Sequence, residues 1–229
     1  MNKKILFLLL LTLTSCTAIN PYIQFYESAS TIPSGYLSPS DNVEVIKTDK
    51  VTESYFQLLS KGYELIGTSS FNGADRSDQL AIDYAKSLGA EILLLGEAYT
   101  DSQIYSYSLP INAYASIPMT NQVRRFDQYA GYFVTRVTKL KTGIYFDNLS
   151  TEEKQNYQTN TGVKILAVID DSPAFKANII PGDIVTKIND SALYNVESTM
   201  EIMGNLKDED ELIFTIIRKG VTQKIKISY

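Results

Sequence analysis

Apolar and polar positions change period several times along the chain, and each change marks an element. From Ile5 to Leu13 only Thr12 interrupts an apolar run. Residues 17–50 then scatter Pro21, Pro33 and Pro39 among Gly, Ser and Tyr, which predicts a mostly irregular lead-in with one short strand at Val43–Ile46. Tyr55, Leu58 and Leu59 sit at helical spacing and predict a helix over Thr52–Ser60, ended by Gly62. Tyr63–Thr68 reads as a strand and Ser69–Gly73 as a turn. Over Asp75–Leu88 the residues Leu80, Ala81, Tyr84, Ala85 and Leu88 form one helical stripe, with Gly89 as a stop. Glu91–Gly96 is a continuous apolar run, as in a buried parallel strand. Together, 63–96 predict a parallel βαβ unit with a right-handed crossover and Leu80, Tyr84 and Leu88 against the sheet.

Residues 99–128 carry Tyr99, Tyr105, Tyr107 and Tyr114 among Ser and Asn, with Pro110 and Pro118. Two readings stand side by side: a long hairpin of alternating aromatic and polar residues, or a Tyr-rich loop. Gln128–Lys139 alternates as a strand and leads into the second half. There, Ser150-Thr151-Glu152-Glu153 is a capping box that opens a helix to about Tyr157. Ser172 and Pro173 are the cap and first residue of a short helix. Pro181-Gly182-Asp183 is a turn feeding Ile184-Val185 into a strand, and Val196–Gly204 is an amphipathic helix.

Composition narrows the chemistry. The chain has no His, which removes Ser-His-Asp and Cys-His triads and His-ligated metals. A single Cys, Cys16, removes Cys-cluster metal sites and intramolecular disulfides. A net charge of −5 gives no basic footprint for nucleic acid. Neither a metal nor another cofactor is expected.

The apolar run follows Lys3 and Lys4 and is too short to cross a bilayer core of ~30 Å, so residues 1–15 read as a signal peptide. Leu13-Thr14-Ser15-Cys16 resembles the bacterial lipobox. The resemblance implies acylation of Cys16 and cleavage before it. Loss of Lys3 and Lys4 would take the net charge to −7. Thr17 rather than Asp after Cys16 implies, by the sorting rule of such lipoproteins, the outer membrane facing the periplasm.

The last ninety residues resemble a PDZ domain of the bacterial envelope-protease type, the high-temperature-requirement and tail-specific kinds. Lys141-Thr142-Gly143-Ile144-Tyr145-Phe146 resembles the carboxylate-binding loop and next strand, and Gly162–Val168 the following core strand. Asp171-Ser172-Pro173-Ala174 through Pro181-Gly182-Asp183-Ile184 to Asn189 is similar to the family's Ser-Pro-Ala and Gly-Asp signature. Asn178 and Asp190 depart from it where Gly is usual. The resemblance implies peptide addition along the strand, a terminal carboxylate on the backbone of Thr142, Gly143 and Ile144, and a pocket of Ile144, Met200 and Met203. Tyr145 and Phe146 complete the expected peptide-binding set. Gly143 is expected to be glycine so that the carboxylate can approach.

Other motifs carry less. Asp208-Glu209-Asp210-Glu211 lacks EF-hand spacing and reads as a solvated turn, and no GxSxG elbow occurs. The expected fold is α+β: a small N-terminal α/β unit and a C-terminal PDZ-like, β-barrel-type domain with two helices. The expected divisions are signal peptide 1–15, tether 16–50, α/β domain 51–139 with its insertion at 99–128, and PDZ domain 140–229. The expected function is non-catalytic: a lipid-anchored envelope protein binding peptides or protein C-termini. A structural lipoprotein with an internally packed PDZ domain, or an enzyme with an unrecognised α/β site, are the alternatives.

Overall fold

The computed structural model describes residues 19–29, 41–112, 115–136, 140–206 and 212–228, with backbone alone for 107–112 and 115–118. The leader, Cys16 and the acidic run at 208–211 lie outside the described residues.

The described strands form two sheets. The first takes β1 (Tyr26–Ser28), β2 (Glu44–Lys47), β3 (Tyr63–Ala74), β4 (Ile92–Asn112) and β5 (Ala115–Thr135) in the order β1-β3-β5-β4-β2. β4 and β5 form one long antiparallel hairpin, so of the two readings of 99–128 the hairpin holds. This hairpin also corrects the expected βαβ unit. β5 stands between β3 and β4 and pairs antiparallel with both, and the parallel pair is β2 with β4. The reason is local: β4 meets its hairpin partner after a short connection, and that partner offers a second edge to β3. The expected turn at Ser69–Gly73 is likewise interior to β3, because β5 supplies partners out to Ala74.

Alternation along β4 explains its unbroken apolar run. Leu93 and Leu95 face one layer with Ala81 and Ala85 of α3 (Asp78–Leu88). Ile92 and Leu94 face the other with Leu58 of α2 (Val51–Ser60). Each such fully buried side chain contributes about 1.5–3 kcal/mol. The α3 contact is centred on Ala81 and Ala85, while Leu80, Tyr84 and Leu88 pack partly buried at its margins. Small residues at the centre let the helix lie close to the sheet, which displaces the longer side chains outward. Ser77 caps α3 and Gly89 ends it in the left-handed conformation.

The lead-in is less irregular than its composition predicts. α1 (Pro21–Gln24) and β1 are docked on the first sheet. Tyr22 is buried, its hydroxyl donating to Gln128 Oε1 at 3.3 Å, and Ser69 Oγ donates to Tyr22 O at 2.6 Å. The Tyr26 ring lies flat over Gly67, where any Cβ would come within 2.4 Å of it. Aromatic packing of Tyr22, Tyr26, Tyr84 and Tyr132 holds this segment down.

The second sheet holds β6 (Ile144–Asn148), β7 (Val163–Val168), β8 (Ile184–Ile188), β10 (Leu212–Arg218) and β11 (Val221–Ile227) in the order β11-β10-β8-β7-β6, with β9 (Ser191–Ala192) on β8. It is an open sheet, not the expected barrel: among the described residues β6 and β11 are its two edges and do not pair. Three helical segments accompany it rather than two: α4 (Thr151–Asn156), α5 (Pro173–Lys176) and α6 (Val196–Asn205). Each carries its own side-chain cap, from Ser150, Ser172 and Asn195, so each starts independently. The core between sheet and α6 includes Ile144, Ile165, Val185, Met203, Phe214 and Ile216.

The two sheets meet at the far end of β5. Arg136 pairs with Glu64 at 3.0 Å and lies over the Tyr145 ring at 5.3 Å. Tyr145 donates to Tyr63 O at 3.0 Å, and Asp170 N to Ser60 O at 2.8 Å.

Candidate functional site: the groove between β6 and α6

β6 is an edge strand with a helix laid along it. The N-terminal end of α6 is tied to the end of β6, where Val196 N donates to Asn148 Oδ1 at 2.9 Å. At the other end the Lys141 ammonium, just before β6, donates to Leu206 O beyond the last turn of α6. Helix and strand therefore run antiparallel and are tied to each other at both ends.

The backbone of the strand decides what the groove can do. Ile144 stands opposite Val168, and Ile169 N donates to Gly143 O at 2.8 Å. Antiparallel ladders alternate inward and outward groups, so the N–H and C=O of Ile144 point away from β7. Ile144 as a whole is 2% exposed, so an added strand would have to displace what covers these groups before pairing with them.

The loop before β6 is held tightly. Thr142 O accepts from Ala174 N at 3.0 Å, and Gly143 N donates to Leu140 O at 3.1 Å. Thr142 and Ile144 are each 2% exposed, and Gly143 is also buried. Of the three expected carboxylate donors, the Gly143 N–H is therefore already taken inside the loop. The need for glycine is also different from the expectation. Gly143 has φ +78°, and a Cβ there would lie 2.2 Å from Ser172 Cβ and 2.5 Å from its hydroxyl. The contact that excludes a side chain is the cap of α5, inside the domain. No signal in the sequence links positions 143 and 172.

The structure gathers part of the expected set. Ile144 and Met203 share the core cluster, with Phe146, Val196, Ile202 and Leu206 packed partly buried against it. Met200, one turn before Met203, is 46% exposed at the margin of the same stripe. Tyr145 stands apart, on the opposite face of β6, where it holds Tyr63 O and stacks under Arg136. Burial raises its phenol pKa, with the Arg136 charge opposing. Asn148, which sequence reasoning passed over, is the residue that aligns α6 with the strand.

Around the groove, the Pro-Gly-Asp turn is pinned from within. Asp183 is 1% exposed and accepts from Arg218 Nε at 2.7 Å and from Ile180 N at 3.1 Å. Among the described residues no group of His, Cys, Asp and Glu could hold a metal ion, and no helix is long and apolar enough to cross a membrane.

Residues 136–228 match the family model described as PDZ domain. Serine endoprotease DegS of Haemophilus influenzae is 24% identical over 160 residues, which is 69% of this chain and 42% of that protein. The chain thus spans less than half the length of this curated relative. Among solved structures, the HtrA-type protease AlgW with decapeptide is 17% identical, covering 38% of this chain and 27% of that one at a TM-score of 0.34. The HtrA3 PDZ domain bound to a phage-derived ligand (FGRWV) is 15% identical, covering 56% and 88% at a TM-score of 0.34. By the match to the family model, residues 136–228 are a PDZ domain.

Proposed function

We propose that this chain is a lipid-anchored, non-catalytic protein of the bacterial cell envelope that binds peptides or protein C-termini between β6 and α6. The observation that supports it most is the edge position of β6 among the described strands, with the Ile144 N–H and C=O directed away from β7 and α6 tied alongside. An extended segment that displaces the cover over Ile144 can pair there, with the apolar stripe of Ile144, Phe146 and Met203 beneath its side chains. Met200 at the margin offers an adaptable contact.

The lipobox at Leu13–Cys16 supports acylation at Cys16, and Thr17 supports the outer membrane. The absence of His supports a role without the proteolytic chemistry of a Ser-His-Asp triad. Labelling with a fatty-acid analogue should tag the natural chain and not Cys16→Ala; equal labelling of both overturns the anchor.

The groove is tested by titrating a pool of peptides, each as free acid and as C-terminal amide. Met200→Glu places a charge on the exposed margin without disturbing the buried stripe. Binding should fall at least ~10-fold in this variant, and ~10-fold or more on amidation if the carboxylate is held by charge-assisted hydrogen bonds. Binding that ignores amidation but falls in Met200→Glu assigns internal segments rather than C-termini. No binding at ~1 mM overturns the peptide reading. The seam made by Tyr145 and Tyr63 then favours the structural alternative.

A further inference from the structure

The hairpin of β4 and β5 outruns the rest of its sheet. β3 follows β5 only to the pair Ala74–Arg125, and Arg125 stands opposite Asp101. Beyond that pair, residues 102–112 and 115–124 form a two-stranded arm with no neighbouring strand among the described residues. Its strands are about ten residues each, ~33 Å long. A charged network closes its base, where Arg125 Nε donates to Asn72 Oδ1 at 2.7 Å and Asn72 Nδ2 to Asp127 Oδ1 at 2.8 Å.

The arm has three unusual properties. Residues 102–123 hold no charged residue, in a chain where 21% are charged. Register sorts its residues onto two unlike faces. By register, Tyr107–Met119 and Leu109–Ile117 fall at odd positions on one face, with Tyr105–Asn121 and Gln103–Val123 nearer the base. Ser106–Thr120, Ser108–Pro118 and Pro110–Ser116 fall at even positions on the other, with Ile104–Gln122 nearer the base. Finally, Tyr105 and Met119 on the odd face are 51% and 39% exposed, and Ile104 on the other is 69% exposed. A lone two-stranded ribbon is marginal in water, and these apolar side chains stand open to it.

The path of the N-terminus says what covers that face. Asn20 Nδ2 donates to Leu80 O at 2.8 Å, in the first turn of α3. α3 begins just past Ala74, the arm end of β3. Tyr22 hydrogen-bonds Gln128, whose amide in turn donates to Ala74 O at 2.8 Å. The N-terminal segment is therefore fastened at the base of the arm. Cys16 is four residues before Asn20 and so within ~14 Å of it. The PDZ domain leaves from Thr135, at the opposite end of β5.

We propose that the arm docks its odd-numbered face on the lipid bilayer that holds the Cys16 anchor, as a second, shallow attachment. The location rests on the anchor reading; the arm's own affinity for lipid does not. The occupant is lipid because the odd positions beyond Gln103 and Asn121 are apolar, the face carries no charge, and the chain reaches the membrane beside it. The polar Ser and Thr face stays in water, as the polar face of an interfacial amphipathic element does. Pro110 and Pro118 lack edge N–H groups, which suits a ribbon lying at the interface rather than one paired into a closed wall.

The test uses residues 17–229, which keep every described residue but lack Cys16, with vesicles of phosphatidylethanolamine and phosphatidylglycerol. This protein should float with the vesicles. Tyr105→Asp together with Met119→Asp should reduce flotation roughly 10-fold or more, while Ser106→Asp with Thr120→Asp leaves it within about twofold. Circular dichroism confirms that both variants stay folded. The chain has no Trp, so Tyr105→Trp and Ser106→Trp each add one reporter. The first should shift to the blue with vesicles and the second should not. No flotation, equal loss from both faces, or a blue shift at Tyr105→Trp that grows with protein concentration without lipid overturns the proposal. The last would assign the face to a second copy of the chain. Failure of acylation at Cys16 leaves this result unaffected, so the two readings fail separately.

Discussion

Arg218 closes a two-point bridge on Asp183, with Nε to Oδ1 at 2.7 Å and the terminal nitrogen to Oδ2 at 2.5 Å, thirty-five residues apart in sequence. The same guanidinium also donates to Asn178 O at 2.8 Å. One carboxylate thus joins the Pro-Gly-Asp turn, the loop after α5 and the end of β10. The hydrogen bond to Asp183 raises the Arg218 pKa further above its ordinary value. Replacing one member of such a buried pair costs about 3–5 kcal/mol, since the partner charge loses its compensation. Asp183→Asn should therefore lower the urea midpoint of the whole chain strongly, and Arg218→Lys should not restore a two-point bridge.

Gly143 and Ser172 make a double-variant test. Gly143→Ala places a methyl group 2.2 Å from Ser172 Cβ and adds about 1–2 kcal/mol of left-handed backbone strain. Ser172→Gly removes the obstructing atoms and costs only a few tenths of a kcal/mol as a cap. Combined, they should be more stable than Gly143→Ala alone. If the double variant is no better, the overlap is not what excludes a side chain at 143.

Alkaline stability follows from the tyrosines. Burial pushes Tyr22 and Tyr129 up to about 12, and Tyr132 is raised by burial against an opposing hydrogen bond with Ser69. Unfolded tyrosine ionises near ~10, so above that pH the unfolded chain holds fewer protons than the folded one. Stability from these groups is complete below pH ~10 and falls as the pH rises toward about 12. Phenolate absorbance should show part of the tyrosines titrating normally and the rest only together with loss of circular dichroism. Tyr22→Phe should flatten the alkaline limb.

One phenol crosses the seam between the sheets, beside the Asp170–Ser60 hydrogen bond. Tyr145→Phe removes the hydrogen bond to Tyr63 O while keeping the ring under Arg136, and should cost about 0.5–1.5 kcal/mol. Faster proteolysis between residues 136 and 144 at unchanged peptide affinity would mark Tyr145 as a joint residue. Lost peptide affinity would return it to the groove.

Local signals determined much of this protein. Caps at Ser77, Ser150, Ser172 and Asn195 and the stop at Gly89 are chemistry between near neighbours, and they set helix starts and ends without help from the rest of the fold. The Pro-Gly-Asp segment and the alternating strands of the PDZ domain are legible for the same reason. The missing histidines bound the chemistry wherever the chain folds. Tertiary structure decided what depends on contacts across long separations. Period alone shows that Ile92–Leu95 is buried, yet not that β5 separates β4 from β3. The alternation of Ile144, Tyr145 and Phe146 shows a strand, yet only packing against Tyr63 removes Tyr145 from the groove. Ser172 crowds Gly143 only after α5 folds back on the loop, because the reach of a side chain acts in space and not along the chain.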